Sequence, residues 1–587
     1  MRIEKIHIKG FRNFVDEVIN FAEQTLIIGP NDIGKSNLLY AIRLLLDRGL
    51  SEKDLDLGNG DYNIYSHSSR VEITLFLADI VEDCLKSAFK GNCMNGKTII
   101  KYVKDKNEDY SIYCGATEKM MEQYTSRFYL KRLNLEYVNS NRDLMRYIQK
   151  SKMDLLAIAK EGLDNIKDEE DKKAVKKLQK QLDKINESID ALNYVKASLN
   201  SVNGELRDMT ANDEDMTITF SSSDTSVEEL LENLELTYAT AKGNMHIGGD
   251  GRNNQVYLAS WIAKQKLEKS KERVTIFAIE EPEAHLHPHQ QRQLSKYLAS
   301  SFNEQIFITT HSPQIATEFL PNRIVSLYKE KNISKVAQGG CCSKLKLTFD
   351  DFGYRLNTIS AELFFSSGVF LVEGPSERVF YTAVAHSLGI DIDKNNINII
   401  SVDGIGFKPY IKICKALNIP YVLRTDNDIK EKTIKKKAYN YYAGISRAVG
   451  IYQELICVGK QQFLYLLWKA RKKENDWEIA DVKHEKADVL NKDVREALVE
   501  HNIYLSDVDL ETDIASTELF DALSKYYKLD NRQRIIEDMK KKKAENMVGF
   551  IQSYLSEGNE FSEIKDSELV KPLYAILELS KKVSYGK

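Results

Sequence analysis

The chain has 587 residues, of which 42% are hydrophobic and 29% charged, and its net charge at pH 7 is −4. This composition is typical of a soluble globular protein, and no apolar run approaches the roughly 20 residues that a membrane helix needs. The near-neutral charge leaves any nucleic-acid binding to local basic surface. At about 150 residues per domain, the length predicts three or four domains.

The cysteines and the first residues both favour a cytoplasmic protein without membrane attachment. The seven cysteines are an odd number and form no C-x-x-C pair, which argues against a disulfide framework or a zinc site. Residues 1–6 alternate charged and apolar side chains and lack the apolar core of a signal peptide.

A phosphate-binding loop is the first motif that carries chemistry. Residues 1–28 read as strands, and residues 29–36 then read GPNDIGKS before a helix begins. This strand–loop–helix context is what the G-x-x-x-x-G-K-[ST] pattern requires, with Lys35 on the β- and γ-phosphates and the Ser36 hydroxyl on Mg²⁺. The candidate ATP-binding residues of this loop are Gly29, Asn31, Gly34, Lys35 and Ser36.

Residues 150–210 have a different character, dense in both signs of charge and free of proline. Apolar residues recur there at steps of four and three. They are Leu178, Leu182, Ile185, Ile189 and Leu192. This spacing predicts a coiled-coil or helical-hairpin seam, which must bury itself against something. We expect an inserted helical arm used for self-association, with a solvated amphipathic helix as the alternative.

Two further strand ends continue the nucleotide site. A buried strand at 274–279 runs into Glu280 and Glu281, and a second strand runs into His311. Such a strand end can place Glu280 near Mg²⁺, with Glu281 next in line to polarise a water for attack on the γ-phosphate.

Acidic clusters follow three strands of a second α/β unit that begins at Gly368. The first cluster lies at 373–377 around a Gly-Pro turn, the second at 426–428 and the third at 506–513. Acidic oxygens from neighbouring strand ends are preferred by Mg²⁺ or Mn²⁺, and two such ions can hydrolyse a phosphodiester. The pattern therefore predicts a divalent-metal site.

The last third of the chain reads as mostly helical. The interval 430–500 is charged and reads as a helical insertion, and residues 516–587 read as helices. Within the insertion, residues 430–442 and 468–473 interleave basic and aromatic side chains, which favours DNA contact, with ordinary helix surface as the alternative.

The nucleotide motifs resemble the ABC ATPases of the SMC, Rad50 and RecF kind. On that resemblance, Arg12 belongs to an N-terminal strand motif that contacts the nucleotide, Glu280 is the Walker B acid, Glu281 the catalytic acid and His311 the switch histidine. Residues 247–255 match the signature motif but depart from S-G-G-Q. Nucleotide sensing without fast turnover is therefore an alternative to hydrolysis.

The acidic clusters resemble the Toprim domain, and an ABC ATPase followed by Toprim is the organisation of the OLD (overcoming lysogenization defect) family of nucleases. Residues 372–377, 425–428 and 543–547 look closest to the nuclease subunits of Gabija anti-phage systems. The resemblance implies that Glu373 is a metal ligand and candidate general base. It implies that Lys543, or one of the lysines at 540–542, neutralises the scissile phosphate. The implied metal ligands are Glu373, Glu377, Asp426 and Asp428, with Asp509 and Glu511 for a second ion.

The predicted fold is α/β, with an ABC-type (SMC/Rad50/RecF-like) ATPase domain that carries a helical dimerisation insertion, followed by an α/β Toprim domain with helical insertions. The expected boundaries are 1–149 and 211–345 for the two ATPase parts, 150–210 for the arm, 346–515 for the Toprim domain with its insertion at about 430–500, and 516–587 for the C-terminal helical part.

We expect a nucleotide-regulated, Mg²⁺- or Mn²⁺-dependent endonuclease that nicks or cleaves duplex DNA, with ATP and Mg²⁺ in the ATPase site. The family resemblance implies anti-phage defence, a homo-oligomer (dimer or tetramer) and a UvrD-like helicase partner. The alternatives are a RecF-type repair ATPase that does not cut DNA, a Toprim strand-passage enzyme with a tyrosine nucleophile, and a scaffold that recruits a helicase. Whether ATP restrains or licenses cleavage stays open.

Overall fold

The computed structural model describes most of the chain. The described residues are 1–140, 154–161, 164–198, 200–201, 226–234, 237–240, 243–246, 249–267, 272–341, 361–403, 406–434, 437–456 and 494–585. Within these ranges, no helix combines the length and the apolar character that crossing a membrane requires. The chain divides into two compact units. The first comprises Met1–Ser140, Glu272–Glu283 and Pro288–Lys587, and the second comprises Asn141–Lys271 and Ala284–His287.

The strands and helices are numbered in chain order. The β-strands are β1 (Arg2–Phe11), β2 (Phe14–Asn20), β3 (Gln24–Ile28), β4 (Arg70–Ala78), β5 (Thr98–Asp105), β6 (Ser111–Gly115), β7 (Glu122–Tyr124), β8 (Leu133–Val138), β9 (Thr237–Thr240), β10 (Gly243–His246), β11 (Val274–Glu280), β12 (Ile306–Thr309), β13 (Ile324–Glu330), β14 (Ile333–Val336), β15 (Gly368–Val372), β16 (Ile397–Ser401), β17 (Tyr421–Thr425), β18 (Ile429–Ile434), β19 (Lys437–Tyr442) and β20 (Ile503–Leu505). The α-helices are α1 (Lys35–Leu46), α2 (Glu52–Leu55), α3 (Asp83–Ala88), α4 (Asn165–Asp190), α5 (Val227–Glu232), α6 (Asp250–Leu267), α7 (Pro288–Ser301), α8 (Pro313–Ala316), α9 (Pro375–Ser387), α10 (Phe407–Ala416), α11 (Ala443–Ile451), α12 (Leu510–Ala515), α13 (Phe520–Tyr527), α14 (Arg532–Lys541), α15 (Lys543–Ser556) and α16 (Lys571–Tyr585).

The ATPase part contains two six-stranded sheets. One is antiparallel in the order β2-β1-β4-β5-β6-β7, and in it Ile6 and Ile8 of β1 are fully buried. The other has the order β14-β13-β3-β12-β11-β8 and is parallel except for the β13–β14 pair. Its strands β3, β12 and β11 are mostly apolar and largely buried, as expected for parallel strands covered on both faces. Its central strand β3 leads directly into the phosphate loop.

The Toprim part is a four-stranded parallel sheet in the order β16-β15-β17-β20. Every residue of β15 is buried, as expected for a strand with helices on both faces. Helix α9 follows β15, α12 follows β20, and α16 packs back against β15 and β17. Because the strands are parallel, the residues that follow β15, β17 and β20 meet at one edge of the sheet. The helices predicted for residues 516–587 are present as α13 to α16.

The start of the Toprim insertion corrects the sequence prediction. Residues 430–500 were expected to be mostly helical, but β18 and β19 form an antiparallel hairpin in which Lys430 pairs with Tyr441. Threonine, isoleucine and tyrosine in this stretch favour strands, and the charge density masked that preference. Helix α11 follows the hairpin, and residues 457–493 lie outside the described residues.

The second unit contains the predicted seam. Helix α4 runs for 26 residues from an Asp164 N-cap, and Leu182 on it is 9% exposed. The other seam residues are Leu178, Ile185, Ile189 and Leu192, which are 49%, 55%, 39% and 40% exposed. Four of the five seam residues are therefore more than a third exposed in this unit. The predicted boundaries near 150, 210 and 345 all lie outside the described residues.

Candidate functional site

The phosphate loop is built so tightly that two of its positions require glycine. Gly29 and Gly34 have φ angles of 151° and 104°. A Cβ at Gly34 would lie 2.0 Å from Asn13 Nδ2, and one at Gly29 would lie 2.6 Å from the carbonyl oxygen of Leu327. The backbone can therefore curl around a phosphate only with glycine at these two positions. Asn31 and Ser36 of the loop are exposed at its surface.

Lys35 is the buried cation of this loop. It is 6% exposed, and its Nζ donates to the carbonyl oxygens of Gly29 at 2.9 Å and Pro30 at 2.8 Å. Burial lowers the pKa of Lys35 to about 8, and the carboxylates of Glu281 and Asp32 oppose that shift. Because burial makes the charged form of Lys35 unfavourable, a bound polyanion would stabilise that form strongly. The loop therefore fits a nucleotide phosphate.

Arg12 lies beside the loop and is fixed from several directions. Its Nε donates to Asp61 Oδ1 at 2.9 Å, and its Nη1 donates to Asn37 Oδ1 at 2.7 Å. Its guanidinium lies 4.5 Å from the ring centroid of Tyr40 on α1. The arginine is therefore held at the phosphate-loop helix, where the sequence prediction placed a nucleotide contact.

The strand ends of β11 and β12 bring the predicted acids and histidine to the phosphate loop. Glu280 is 4% exposed and pairs in register with Thr309 of β12. His311 Nε2 lies 3.4 Å from Glu281 Oε1. Burial lowers the pKa of His311, the nearby Lys35 cation lowers it further, and the Glu281 carboxylate opposes both effects.

Glu283 is a member of this site to which the sequence analysis assigned no role. Its Oε1 accepts from Thr310 Oγ1 at 2.6 Å and from the backbone N of His311 at 2.8 Å, and burial raises its pKa. The carboxylate thereby holds the turn that carries His311. The E-E-P-E run after a buried strand is the only sequence signal that points to it.

At the Toprim edge, Glu373 joins two neighbouring strands. It follows β15, and its Oε1 accepts from the backbone N of Asp426, at the end of β17, at 3.0 Å. The same oxygen accepts from the hydroxyl of Thr425 and from the guanidinium of Arg447. Neither Thr425 nor Arg447 was singled out from the sequence, because one is a strand residue and the other lies in a helix of the insertion.

Asp426 and Glu377 are buried carboxyls next to Glu373. Both are 5% exposed. Burial raises the pKa of Asp426 to about 8, with the charges of Glu377 and Glu373 adding to it, and burial likewise raises the pKa of Glu377 to about 7. Asp426 Oδ1 accepts from Ser506 Oγ at 3.2 Å, and Glu377 Oε2 accepts from the backbone N of Gly374 at 2.7 Å. Two buried acids that resist ionisation side by side are suited to a shared cation.

The third cluster faces a pair of lysines. Asp509 caps α12 by accepting from the backbone N of Thr512 at 2.9 Å, and it also pairs with Lys540. Glu511 is 1% exposed, and its Oε2 lies 3.6 Å from Lys543 Nζ. Lys543 Nζ also lies 3.9 Å from Asp426 Oδ2, so it spans the second and third clusters.

The lysine run at 540–543 separates into inward and outward members. Lys543 and Lys540 reach the site carboxylates, whereas Lys541 pairs with Asp538 and Lys542 with Glu545 on the surface. Burial lowers the pKa of Lys543, but the carboxylates of Glu511, Asp426 and Asp509 raise it above its ordinary value.

The structure thus brings together Glu373, Glu377, Asp426, Asp509, Glu511 and Lys543. Asp428 lies two residues beyond Asp426 at the base of the hairpin, where its carbonyl oxygen accepts from the backbone N of Ala443 at 2.8 Å.

The donor set fits a divalent cation, although it is not arranged as a finished cation site. Within the described ranges, no three His, Cys, Asp or Glu side chains are grouped so as to hold a metal ion. Arg447, Lys540 and Lys543 stand among the carboxylates and neutralise them instead. Glu377 Oε1 and Glu511 Oε1 are nevertheless buried without a hydrogen-bond donor in the described part of the chain, and carboxylate oxygens of this kind are ligands that a divalent cation prefers.

A buried ion pair, Arg424 with Asp513, lies next to the acidic clusters of the Toprim site. Arg424 of β17 is 2% exposed, pairs with Asp513 of α12, and lies close enough to Asp426 and Glu377 to lower their pKa values against the effect of burial. This pair was not predicted, because it joins a strand and a helix that lie far apart along the chain.

Comparison with known proteins gives concordant matches. The AAA ATPase domain family matches residues 1–316, and the overcoming-lysogenization-defect-protein-like Toprim domain matches residues 364–428. An endonuclease GajA of Bacillus cereus is 26% identical over 549 residues, which cover 88% of this chain and 90% of that protein. An OLD nuclease of Thermus scotoductus is 30% identical over 172 residues, which cover 27% of this chain and 32% of that protein.

Among solved structures, an SMC head bound to the C-terminal winged-helix domain of ScpA aligns at 17% identity with a TM-score of 0.38, covering 57% of this chain and 97% of that one. The fold assignment depends instead on the strand orders and the two family matches, which confirm the predicted ABC-type ATPase followed by Toprim. Residues 364–428 match the OLD-like Toprim domain, and since the first match covers more than half of its residues, the chain belongs to the AAA ATPase domain family.

Proposed function

We propose that this protein is a divalent-metal-dependent DNA endonuclease that nicks or cleaves duplex DNA at the Toprim edge, with the ATPase domain controlling that activity through ATP. One observation carries the proposal: buried carboxyls from three strand ends surround Lys543 at a single edge of a parallel sheet. Asp426 and Glu511 are 5% and 1% exposed, and both lie within 4.0 Å of Lys543 Nζ. The printed names of the relatives, endonuclease and nuclease, agree with this chemistry.

The residues have three tasks in this proposal, which are to hold the ions, to receive a proton and to bind phosphate, and Glu373 has the first two. Glu373, Glu377, Asp426 and Asp428 would hold one Mg²⁺ or Mn²⁺, and Asp509 and Glu511 a second. The ions would supply activation of water and charge neutralisation at the phosphate. Glu373 is the candidate base that receives the proton of the attacking water. Lys543 binds the scissile phosphate, since its ammonium stays charged and is half exposed beside the acids.

Nicking of supercoiled plasmid by the wild-type chain tests the nuclease proposal. We expect nicking with Mg²⁺ or Mn²⁺ and none with EDTA, and we expect Glu373→Ala to abolish it. The matched control is Glu578→Ala, because Glu578 is a 74% exposed acid of the same part of the chain that pairs with Lys582. Cleavage that survives in Glu373→Ala would remove the hydrolytic assignment and favour a contaminating nuclease.

The ATP dependence is tested separately. In the ATPase site, Lys35, Ser36 and Glu280 would hold ATP with Mg²⁺, and Glu281 with His311 would act on the γ-phosphate. The nicking rate should change across an ATP series in the wild-type chain and stay flat in Lys35→Ala. The direction of the change decides between restraint and licensing, and a flat wild-type series would remove the regulatory claim.

The exposed seam of α4 supports a homo-oligomer, a dimer or a tetramer. Leu178 and Ile185 are 49% and 55% exposed, which favours burial against a second copy. Leu178→Glu with Ile185→Glu should lower the mass measured by light scattering. Ile166→Glu is the control, because Ile166 is a 74% exposed apolar residue of the same helix outside the seam. An unchanged mass in the double variant would exclude the seam as the interface.

The likeness to an endonuclease GajA also motivates a role in anti-phage defence and a UvrD-like helicase partner. Plaque counts on cells that express the wild-type chain or Glu373→Ala, each with and without a co-expressed UvrD-like helicase, test both points. Equal counts for the two chains would remove the defence role, and protection without the helicase would remove the need for the partner.

A further inference from the structure

Arg447 touches the candidate base but has no part in the nuclease chemistry described above. Its Nη1 donates to Glu373 Oε1 and to the hydroxyl of Thr425. The backbone N of Asp426 donates to the same Glu373 oxygen at 3.0 Å. That oxygen is therefore occupied by protein donors, at the place where a divalent cation would bind it.

The helix that carries Arg447 is fitted closely to the loop that carries Asp426. A Cβ at Gly444 would lie 2.0 Å from the carbonyl oxygen of Asp426, so only glycine permits this approach. The backbone N of Ile445 donates to Asn427 Oδ1 at 3.0 Å, and that of Ala443 to the carbonyl oxygen of Asp428 at 2.8 Å. Since residues four apart share a helix face, these contacts at Ala443 set where Arg447 points.

The Arg447–Glu373 pair differs from the structural ion pair in the same sheet. Arg424 and Asp513 have side chains that are 3% and 14% exposed, which marks a sealed pair. Arg447 and Glu373 are 28% and 25% exposed, so solvent and ligands reach them. A pair that ligands reach can be exchanged for other partners, and a guanidinium is well shaped to bind phosphate.

We propose that Arg447 is a substrate-binding residue of the Toprim site, which holds Glu373 until a divalent ion takes that carboxylate and then binds a DNA phosphate. This inference rests on the proposed nuclease function. It predicts opposite effects of Arg447 on the affinity for the ion and on the affinity for DNA. Arg447 weakens the binding of the ion, because both compete for one oxygen. It strengthens the binding of DNA once the ion is bound, because the guanidinium is then released.

The first test measures ion binding without DNA. Mn²⁺ is titrated calorimetrically into the full chain as wild type, Arg447→Ala, Arg447→Lys and Lys408→Ala. We expect Arg447→Ala to bind Mn²⁺ about tenfold more tightly, as the loss of a charged hydrogen bond to the ligand implies. Arg447→Lys should be intermediate. Lys408→Ala should match the wild type, because Lys408 pairs with Glu454 instead of a site carboxylate. Unchanged or weaker Mn²⁺ binding in Arg447→Ala overturns the inference.

The second test measures duplex DNA binding with Ca²⁺, and then without any divalent ion. Arg447→Ala should bind DNA about five- to tenfold more weakly with Ca²⁺, with a salt dependence reduced by about one phosphate contact, and should match the wild type without the ion. A purely structural role would change both conditions alike, and that result would overturn the inference. If Arg447→Ala lowers the melting temperature of the chain, Arg447→Lys is the variant that tests the inference. It should keep most of the DNA affinity in Ca²⁺, and a loss equal in both conditions overturns the inference.

These two tests do not depend on cleavage. Failure of the wild-type chain to nick plasmid would remove the proposed nuclease function while the titrations still report on Arg447. Nicking by the wild-type chain, together with unaltered ion and DNA affinities in Arg447→Ala, would remove this inference alone.

Discussion

The two phosphate-handling sites of the first unit both place a lysine among carboxylates at the ends of parallel strands, yet the pKa values of the two lysines move in opposite directions. Lys35 is 6% exposed and bonded to carbonyl oxygens, so burial lowers its pKa to about 8. The side chain of Lys543 is 49% exposed, with Glu511 and Asp426 within 4.0 Å, so the carboxylates prevail over burial and raise its pKa. The balance of desolvation and nearby charge, not the residue type, decides the direction in which the pKa of each lysine moves.

The sites also differ in how they are assembled. Residues 29–36 supply most of the ATP site from one continuous loop, which two glycines shape. The Toprim site draws its acids and Lys543 from strand ends and a helix scattered over the second half of the chain. A substitution of either glycine therefore acts on local geometry, whereas a substitution of an acid in the Toprim site acts on charges that other elements must neutralise.

The largest expected effect concerns the lysine of the Toprim site. Lys543→Ala should slow plasmid nicking about a hundredfold, as the loss of a positioned cation at a phosphate implies. Lys541→Ala, two residues away, should stay within about twofold of the wild type, because Lys541 pairs with Asp538 at the surface. Equal losses in the two variants would show that the lysine run acts only as a basic surface.

On the ATPase side, Lys35→Ala should weaken the binding of a fluorescent ATP analogue at least about tenfold, because a charged contact to phosphate is lost. The melting temperature of this variant should not fall, since a buried cation that is costly to desolvate is removed. Lys86→Ala is the control, because Lys86 is 52% exposed and pairs with Asp83. A fall in melting temperature without loss of ATP binding would contradict the role given to Lys35.

The pH dependence of the two lysines sharpens the comparison. Because the pKa of Lys35 is lowered to about 8, its cation is present below that pH and lost as the pH rises through it. The ATP affinity of the wild type should therefore fall by up to about tenfold per pH unit above 8, and it should approach the affinity of Lys35→Ala. The difference in nicking rate between the wild type and Lys543→Ala should persist to pH 9, because the carboxylates of Glu511 and Asp426 raise the pKa of Lys543 above its ordinary value against the effect of burial. If the wild type and its lysine variant converge at the same pH in both assays, the contrast between the pKa values of the two lysines is wrong.

The smallest effect concerns the arginine beside the phosphate loop. Arg12→Lys should weaken ATP binding about three- to fivefold, since lysine keeps the charge but loses the planar fork that joins Asp61 and Asn37. Arg2→Lys is a matched control, because Arg2 pairs with the exposed Asp79. Equal ATP affinities for Arg12→Lys and the wild type would assign Arg12 to the fold alone.

Much of the site could be predicted because its signals are local. The phosphate loop, the Glu280–Glu281 pair and the three acidic clusters each stand directly after an apolar strand, and parallel strands bring their ends to one edge. Arg447 and the hairpin at 429–442 were missed for the opposite reason. A charged stretch gives no period that distinguishes helix from strand, and no local pattern shows which arginine will reach a carboxylate.

By itself, the sequence determined the order of the two domains and the phosphate loop, and it placed an acidic cluster after each of three strands, since these features depend on neighbouring residues. Only the tertiary structure decided that Lys543 and Lys540 face the site carboxylates while Lys541 and Lys542 face the surface. It also decided that Arg447 forms an ion pair with Glu373. Those outcomes depend on how α11, α14 and α15 pack over the Toprim edge, and contacts between elements far apart in the chain leave no mark on local composition.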